Sequence, residues 1–249
     1  MARWLLALLF SLSGNAWAEK VLVLSYYDFP PFVEQNGGGL SRELCRLLDE
    51  RSKGRYQFEL LVVPRLRFDA MLLKPGVPVL VPWVVPDFFA DPQRFQWGGV
   101  LMPDSVVMLN MPGRTVQLDS LPALRGLRFG GVLGHQYPFG ELDKALRGQL
   151  VTRADSAGPE QNYVNLVLGR VDFTIMAEST FHYLKSKDLE RTRGKAEPVA
   201  QQLPSSIFHR TYFSQGVTPE LAAFLRAELE QVRVVRGGKP AWAIQVRKR

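Results

Sequence analysis

The chain has 249 residues but a single cysteine, Cys45, and only three histidines, His135, His182 and His209. One thiol excludes an intrachain disulfide. Three histidines at no metal-ligand spacing leave no zinc site to expect, and no other cofactor is called for. Past residue 18 no apolar stretch approaches the ~20 residues of a membrane-spanning helix, so the mature chain is expected to be soluble. A phosphate-cradling glycine loop, a nucleophile motif and a metal-ligand cluster are also missing, which removes the usual machinery of covalent or metal-assisted catalysis. Basic residues outnumber acidic ones, 31 to 24, yet they are scattered, apart from a short tail at Arg247-Lys248-Arg249. That balance serves solubility and mild attraction to anions; it is not a nucleic-acid footprint.

What is present starts with residues 1 to 18, MARWLLALLFSLSGNAWA. A positive charge at Arg3, an apolar run from Trp4 to Leu12, and Ala16 and Ala18 before a polar Glu19-Lys20 have the layout of a secretory signal peptide cleaved after Ala18. Export to the periplasm is the expected localisation. Cys45 then sits between Leu44 and Leu47 in the helical pattern LSRELCRLLDE, where it reads as a small core hydrophobe.

From Lys20 the pattern alternates between strand and helix. VLVLSYY (21 to 27) is a nearly continuous apolar run, as in a strand covered on both faces. Gly37-Gly38-Gly39 makes a loop, and Ser41 is expected to cap a helix carrying Leu40, Leu44, Leu47 and Leu48 on one face. YQFELLVV (56 to 63) is the next strand, RFDAMLLK (67 to 74) a short helix, and VPVLVPWV (77 to 84) a third extended run. A second series follows, with strands at 127 to 133, 150 to 156 and 171 to 177 and helices in FGELDKALRG, PEQNYVNLVLGR and ESTFHYLKSK. Such β-α-β alternation predicts two α/β units with mostly parallel sheets.

Two further extended runs, SVVMLN (105 to 110) and SIFHRTYFS (206 to 214), join the units. The second leads to a helix, TPELAAFLRAELEQVR, with Thr218 as N-cap, Pro219 in the first turn, and Leu221, Phe224, Leu225 and Leu229 on its apolar face. The simplest arrangement returns that helix to the first unit, so the chain crosses twice between lobes. The expected division is residues 19 to 108 with 211 to 249 in lobe 1, and 109 to 210 in lobe 2. A cleft between two lobes is where a small ligand binds. The segment YYDFPPF (26 to 32), with four aromatic rings at the end of the first strand, is then a candidate cleft wall. Trp83 and Trp97, in PWVVPDFFADPQRFQW, read as packing residues that stiffen a loop.

These features together resemble the type II periplasmic solute-binding proteins, specifically the family containing the polar amino-acid-binding components of ABC importers. The resemblance runs over about residues 20 to 235. It places Tyr27 and Phe32 in the first cleft loop, whose ring stacks on the ligand. ADPQRF (90 to 95) matches the segment whose arginine clamps a ligand carboxylate, making Arg94 the candidate, with Asp91 where a hydroxyl residue usually stands. GVLGHQYPFGE (131 to 141) matches the second-lobe loop and helix start, with His135-Gln136 in place of a Ser/Thr pair. GRVDFTIMAES (169 to 179) matches the strand that ends on the acid receiving the ligand ammonium, here Glu178. PRLR (64 to 67) replaces the family's tryptophan and puts Arg65 or Arg67 at the cleft edge.

A zwitterion leaving water needs both charges met, and an arginine with an acid on the facing lobe would do so. The resemblance therefore implies a monomeric binding protein for a small polar or anionic, amino-acid-like solute. It would close by hinging and be read by an ABC importer component or a membrane sensor. The alternative on the same scaffold is a cyclohexadienyl or arogenate dehydratase, with Glu178 in an apolar setting as general acid and His135 as a second proton carrier.

Overall fold

A computed structural model describes residues 18–74, 76–187, 189–236 and 242–246. The expected signal peptide and the basic tail at 247–249 lie outside the described residues, apart from Ala18.

The described residues form eleven strands and seven α-helices, among them the expected strand–helix series of both units. In the first lobe β1 (Glu19–Ser25) lies between β2 (Tyr56–Val62) and β3 (Val79–Val84), parallel to both. All six residues of β3 are buried, as its apolar run predicts. Helices α1 (Leu40–Ser52) and α2 (Arg65–Leu73) make the crossovers. Ser41 does not cap α1. Gly39 holds the N-cap position at φ 103°, where a Cβ would sit 2.7 Å from the Phe32 carbonyl oxygen. Ser41 lies inside the first turn, and its hydroxyl accepts the indole N–H of Trp83 at 3.1 Å. The close approach of backbone thus needs a residue without Cβ at the cap, and the hydroxyl stands two positions further along. Cys45 is buried, and burial pushes its thiol up to about 12, which makes it inert at neutral pH.

A short β4 (Gln96–Trp97) precedes β5 (Met102–Asn110), which carries the chain into the second lobe. There α3 (Leu121–Leu124) leads to β6 (Arg128–Val132), which runs parallel to β7 (Thr152–Ser156) and β8 (Phe173–Ala177). The helices α4 (Leu142–Arg147), α5 (Pro159–Val167) and α6 (Glu178–Ser186) cover this sheet. Side chains alternate across it: Met108 and Ile175 enter one apolar cluster, while Val107, Leu109 and Met176 enter the other.

The seventeen-residue β9 (Val199–Gln215) returns to the first lobe. Residues 199–210 pair antiparallel with β5, and residues 211–215 with β3. The resulting order, β2-β1-β3-β9-β5-β8-β6-β7, makes the two lobes copies of one plan. Each has three parallel strands in the order second, first, third, followed by an antiparallel strand arriving from the other lobe. The expected extended run at 105–110 falls within β5, and that at 206–214 within β9.

Helix α7 (Pro219–Leu229) packs Leu221, Phe224, Leu225 and Leu229 on the first-lobe core, and Thr218 caps it by accepting the Leu221 N–H at 3.2 Å. It ends before the expected EQVR. The chain instead forms β10 (Val232–Arg236), which pairs antiparallel with β11 (Trp242–Val246). This hairpin packs on the first lobe, where Val232 and Val234 join the core and the Ile244 N–H reaches Glu43 at 3.4 Å. From β11, the Trp242 indole donates to the Ser179 carbonyl of α6 at 2.9 Å and so touches the second lobe.

Candidate ligand-binding cleft

The carboxyl ends of both parallel sheets point to one place. Val84, at the end of β3, pairs with Thr211, and Ala177, at the end of β8, pairs with Val106. Both pairs flank the point where β9 passes from one lobe to the other. Loops at the carboxyl ends of strands in open α/β sheets form the ligand crevice.

At that point the chain buries an ion pair between the two crossing strands. Arg210 of β9 donates through Nε to Asp104 of β5 at 2.5 Å, with side-chain exposures of 3% and 1%. The same guanidinium donates to the Trp83 carbonyl at 2.9 Å and the Tyr27 hydroxyl at 3.3 Å. Its carbon lies 4.6 Å from the centre of the Phe32 ring and 5.1 Å from that of Phe208. Burial pulls the Arg210 pKa down, but Asp104 and Tyr27 more than offset this and leave it raised. Asp104 also accepts the Ser105 and Ser179 N–H groups, at 2.9 and 3.1 Å, and the Ser179 hydroxyl at 2.8 Å. A charge taken out of water is stable only when its hydrogen bonds are met, and both groups fulfil that condition. Trp83 is held at φ 67°, an unusual conformation for a bulky residue, between the Ser41 hydroxyl and Arg210.

Of the residues singled out in the sequence, Tyr27 and Phe32 belong to this floor. Tyr27 is 6% exposed and Phe32 fully buried, so the first loop presents its other groups, Tyr26, Asp28 and Phe29, outward. Glu178 opens α6 and accepts the Ser105 hydroxyl at 2.6 Å, with His182 at 3.2 Å from its other oxygen. Its setting is polar rather than apolar, and its imidazole neighbour is His182 rather than His135.

His135 follows β6 in an exposed loop braced by Arg153, which donates to the His135 carbonyl at 2.9 Å and the Val132 carbonyl at 3.0 Å. Desolvation lowers the His135 pKa. Asp28 works against this, Arg153 with it, Asp155 against it and Arg65 with it. Arg94 joins neither group. It is exposed in the turn before β4, which pairs with Phe213 and Ser214, and it makes no ion pair with Asp91. Trp83 is fully buried, and Trp97 packs against Phe89, Phe95 and Phe213, as packing residues should.

Local sequence gave no sign of Asp104 and Arg210 as partners, since 106 positions separate them. The available signal was one charge inside each apolar crossing run, because a lone buried charge demands its opposite nearby. Cavity size is a poorer guide. A hollow of about 480 Å³ lies outside α7, beside Gln96 and Val217, and shares no residue with these groups. A second, of about 300 Å³, lies between the lobes at Glu34, Arg42, Tyr183 and Trp242. Among the described residues no group of three or more His, Cys, Asp or Glu is placed to hold a metal, and no helix is long and apolar enough to cross a membrane.

No family model and no curated protein matches the sequence. Solved structures do match in fold. An ancestral arginine-binding protein bound to arginine superposes with a TM-score of 0.60 at 15% identity, over 86% of this chain and 92% of its own. The ligand-binding core of GluR0 from Nostoc punctiforme, in complex with L-glutamate, gives 0.58 at 15%, over 83% and 90%. A putative L-cystine ABC transporter protein from Listeria monocytogenes gives 0.57 at 17%, over 84% and 87%. The chain therefore has the two-lobed fold of the type II periplasmic binding proteins, as its sequence pattern implied. The dehydratase alternative draws no support from these neighbours.

Proposed function

We propose that the protein is a solute-binding protein of the periplasm that captures a small polar, amino-acid-like molecule between its lobes. The observation that carries this reading is the buried Arg210–Asp104 pair at the point where both crossing strands meet and both sheets end. It ties the two crossing strands together beside Glu178, which accepts the Ser105 hydroxyl of β5. Hinge closure around a ligand follows from two lobes joined by two strands. Closure is driven by the ligand's higher affinity for the closed form and needs no covalent chemistry. The fold neighbours, among them a protein bound to arginine, a core in complex with L-glutamate and a putative L-cystine ABC transporter protein, support an amino-acid-like solute. The closed monomer would then be read by an ABC importer component or a membrane sensor, after removal of residues 1 to 18.

A thermal-shift screen of amino acids, dicarboxylates and short peptides tests this. A ligand at a hundred times its Kd adds about 2.7 kcal/mol of apparent stability. For a chain of this size that raises the melting temperature by roughly 5 to 10 °C. A flat response across all three classes refutes the reading.

A further inference from the structure

Arg65 opens α2 directly after β2, so it stands at the carboxyl end of the first-lobe sheet. Its guanidinium carbon lies 4.7 Å from the ring centre of Tyr26, 5.1 Å from that of Phe89 and 5.9 Å from that of Phe68. Nε contacts both oxygens of Asp69, at 2.9 and 3.0 Å, and Nη2 donates to the Phe88 carbonyl at 2.9 Å. Nη1 has no acceptor among the described residues, and the side chain keeps 40% of its exposure. This is a fixed cation with one end left open, since three rings and two acceptors orient it in advance. Arg210, by contrast, is 3% exposed with Nε on Asp104 and Nη1 on Tyr27 and Trp83, and Arg94 is exposed in the turn before β4.

We propose that Arg65 is the anion-recognition residue of the cleft: its open Nη edge takes a carboxylate of the solute. The solute class is accordingly a carboxylate, and the clamp sits on α2 instead of in the segment of Arg94. Tyr26, beneath the guanidinium, sets the plane of the fork and so the direction from which the carboxylate is accepted. Asp69 holds the Nε edge and leaves the end of the fork for the ligand.

This inference rests on the solute-binding reading, and the test separates the two. Melting curves and titration calorimetry are run with L-glutamate and succinate as carboxylate probes, and with succinamide and agmatine as probes lacking a carboxylate. The proteins are the wild type, Arg65→Met, Arg65→Lys and Arg94→Ala, each first checked for an intact cooperative melt without probe. The expected result is that a carboxylate probe binds the wild type and the carboxylate-free probes do not. Affinity for that probe falls about 10- to 100-fold in Arg65→Met, as for loss of a charge-assisted hydrogen bond. It is partly retained in Arg65→Lys and unchanged in Arg94→Ala. Equal binding by wild type and Arg65→Met overturns the Arg65 assignment and leaves the solute-binding reading standing. So does binding of agmatine or succinamide with neither carboxylate. Failure of all four probes also overturns the carboxylate assignment, and the solute-binding reading falls with it only if the wider screen is flat as well. Should Arg65→Met not fold, Arg65→Lys and Tyr26→Leu decide: full affinity in both overturns the proposal.

Discussion

Replacing Arg210 by methionine removes the cation of the floor while keeping an unbranched chain of similar length. Asp104 would remain buried and charged, with the Ser105 and Ser179 N–H groups and the Ser179 hydroxyl as its donors. The Trp83 carbonyl and the Tyr27 hydroxyl would each lose a donor. Removing one member of a buried pair costs about 3–5 kcal/mol. The three surviving donors to Asp104 argue for the lower figure. At roughly 2–4 °C per kcal/mol for a chain of this size, about 3 kcal/mol lowers the melting temperature by ~6–12 °C. Asp104→Asn should cost a similar amount, because an amide N–H would then face the buried guanidinium. The assay is urea unfolding of the wild type, both single variants and the double variant. If the pair acts as a unit, the double variant is more stable than the sum of the single effects by more than about 1 kcal/mol. Single losses under about 1 kcal/mol, or strict additivity, would refute the idea that this pair ties the crossing strands.

Three more outcomes follow from the structure. Ser41→Ala leaves the Trp83 indole N–H without its acceptor in the core and should cost about 1–3 kcal/mol in denaturant unfolding, far more than loss of an ordinary exposed serine. Trp242→Phe deletes the hydrogen bond from the carboxy-terminal hairpin to α6; losing about 1 kcal/mol from the closed form should enlarge the radius of gyration measured by small-angle scattering. Asp172 gives a pH signature. Burial pushes its pKa up, but hydrogen bonds from the Arg128 side chain and backbone and the charges of Arg114 and Arg128 outweigh this and leave it lowered. Its stabilising contribution is therefore full above the ordinary carboxyl pKa and is lost as pH falls through the lowered value. Asp172→Asn should melt earlier at neutral pH and converge with the wild type in acid.

The alternation of strands and helices was legible because apolar periodicity is local: the unbroken run in β3 and the spacing of Leu221, Phe224, Leu225 and Leu229 each need only their own segment. Thr218 was legible as a cap for the same reason. Ser41 was not, because its true partner, Trp83, is 42 residues away. The closing pair of strands left a readable trace in the β-branched runs VRVVR and WAIQV, but helix periodicity extended through EQVR obscured it. Within the candidate cleft, the loops that follow strands were identified, since their positions depend on topology alone. Which side chain on each loop faces the ligand depends on packing, and for that reason the sequence did not reveal that Phe32 lies in the core and left Arg65 and Arg67 as alternatives at the cleft edge.

The division of β9 between two sheets has a consequence for any attempt to cut the molecule. A fragment ending at Asn110 would keep β1, β2 and β3 but lose residues 211–215, exposing the β3 edge that they cover. That edge belongs to a six-residue strand with every residue buried, three valines, a leucine and a tryptophan among them. Unprotected edges of this kind pair with other chains. The isolated first lobe should therefore aggregate, and adding back residues 211–215 as a peptide, or joining them by a permuted linkage, should restore solubility.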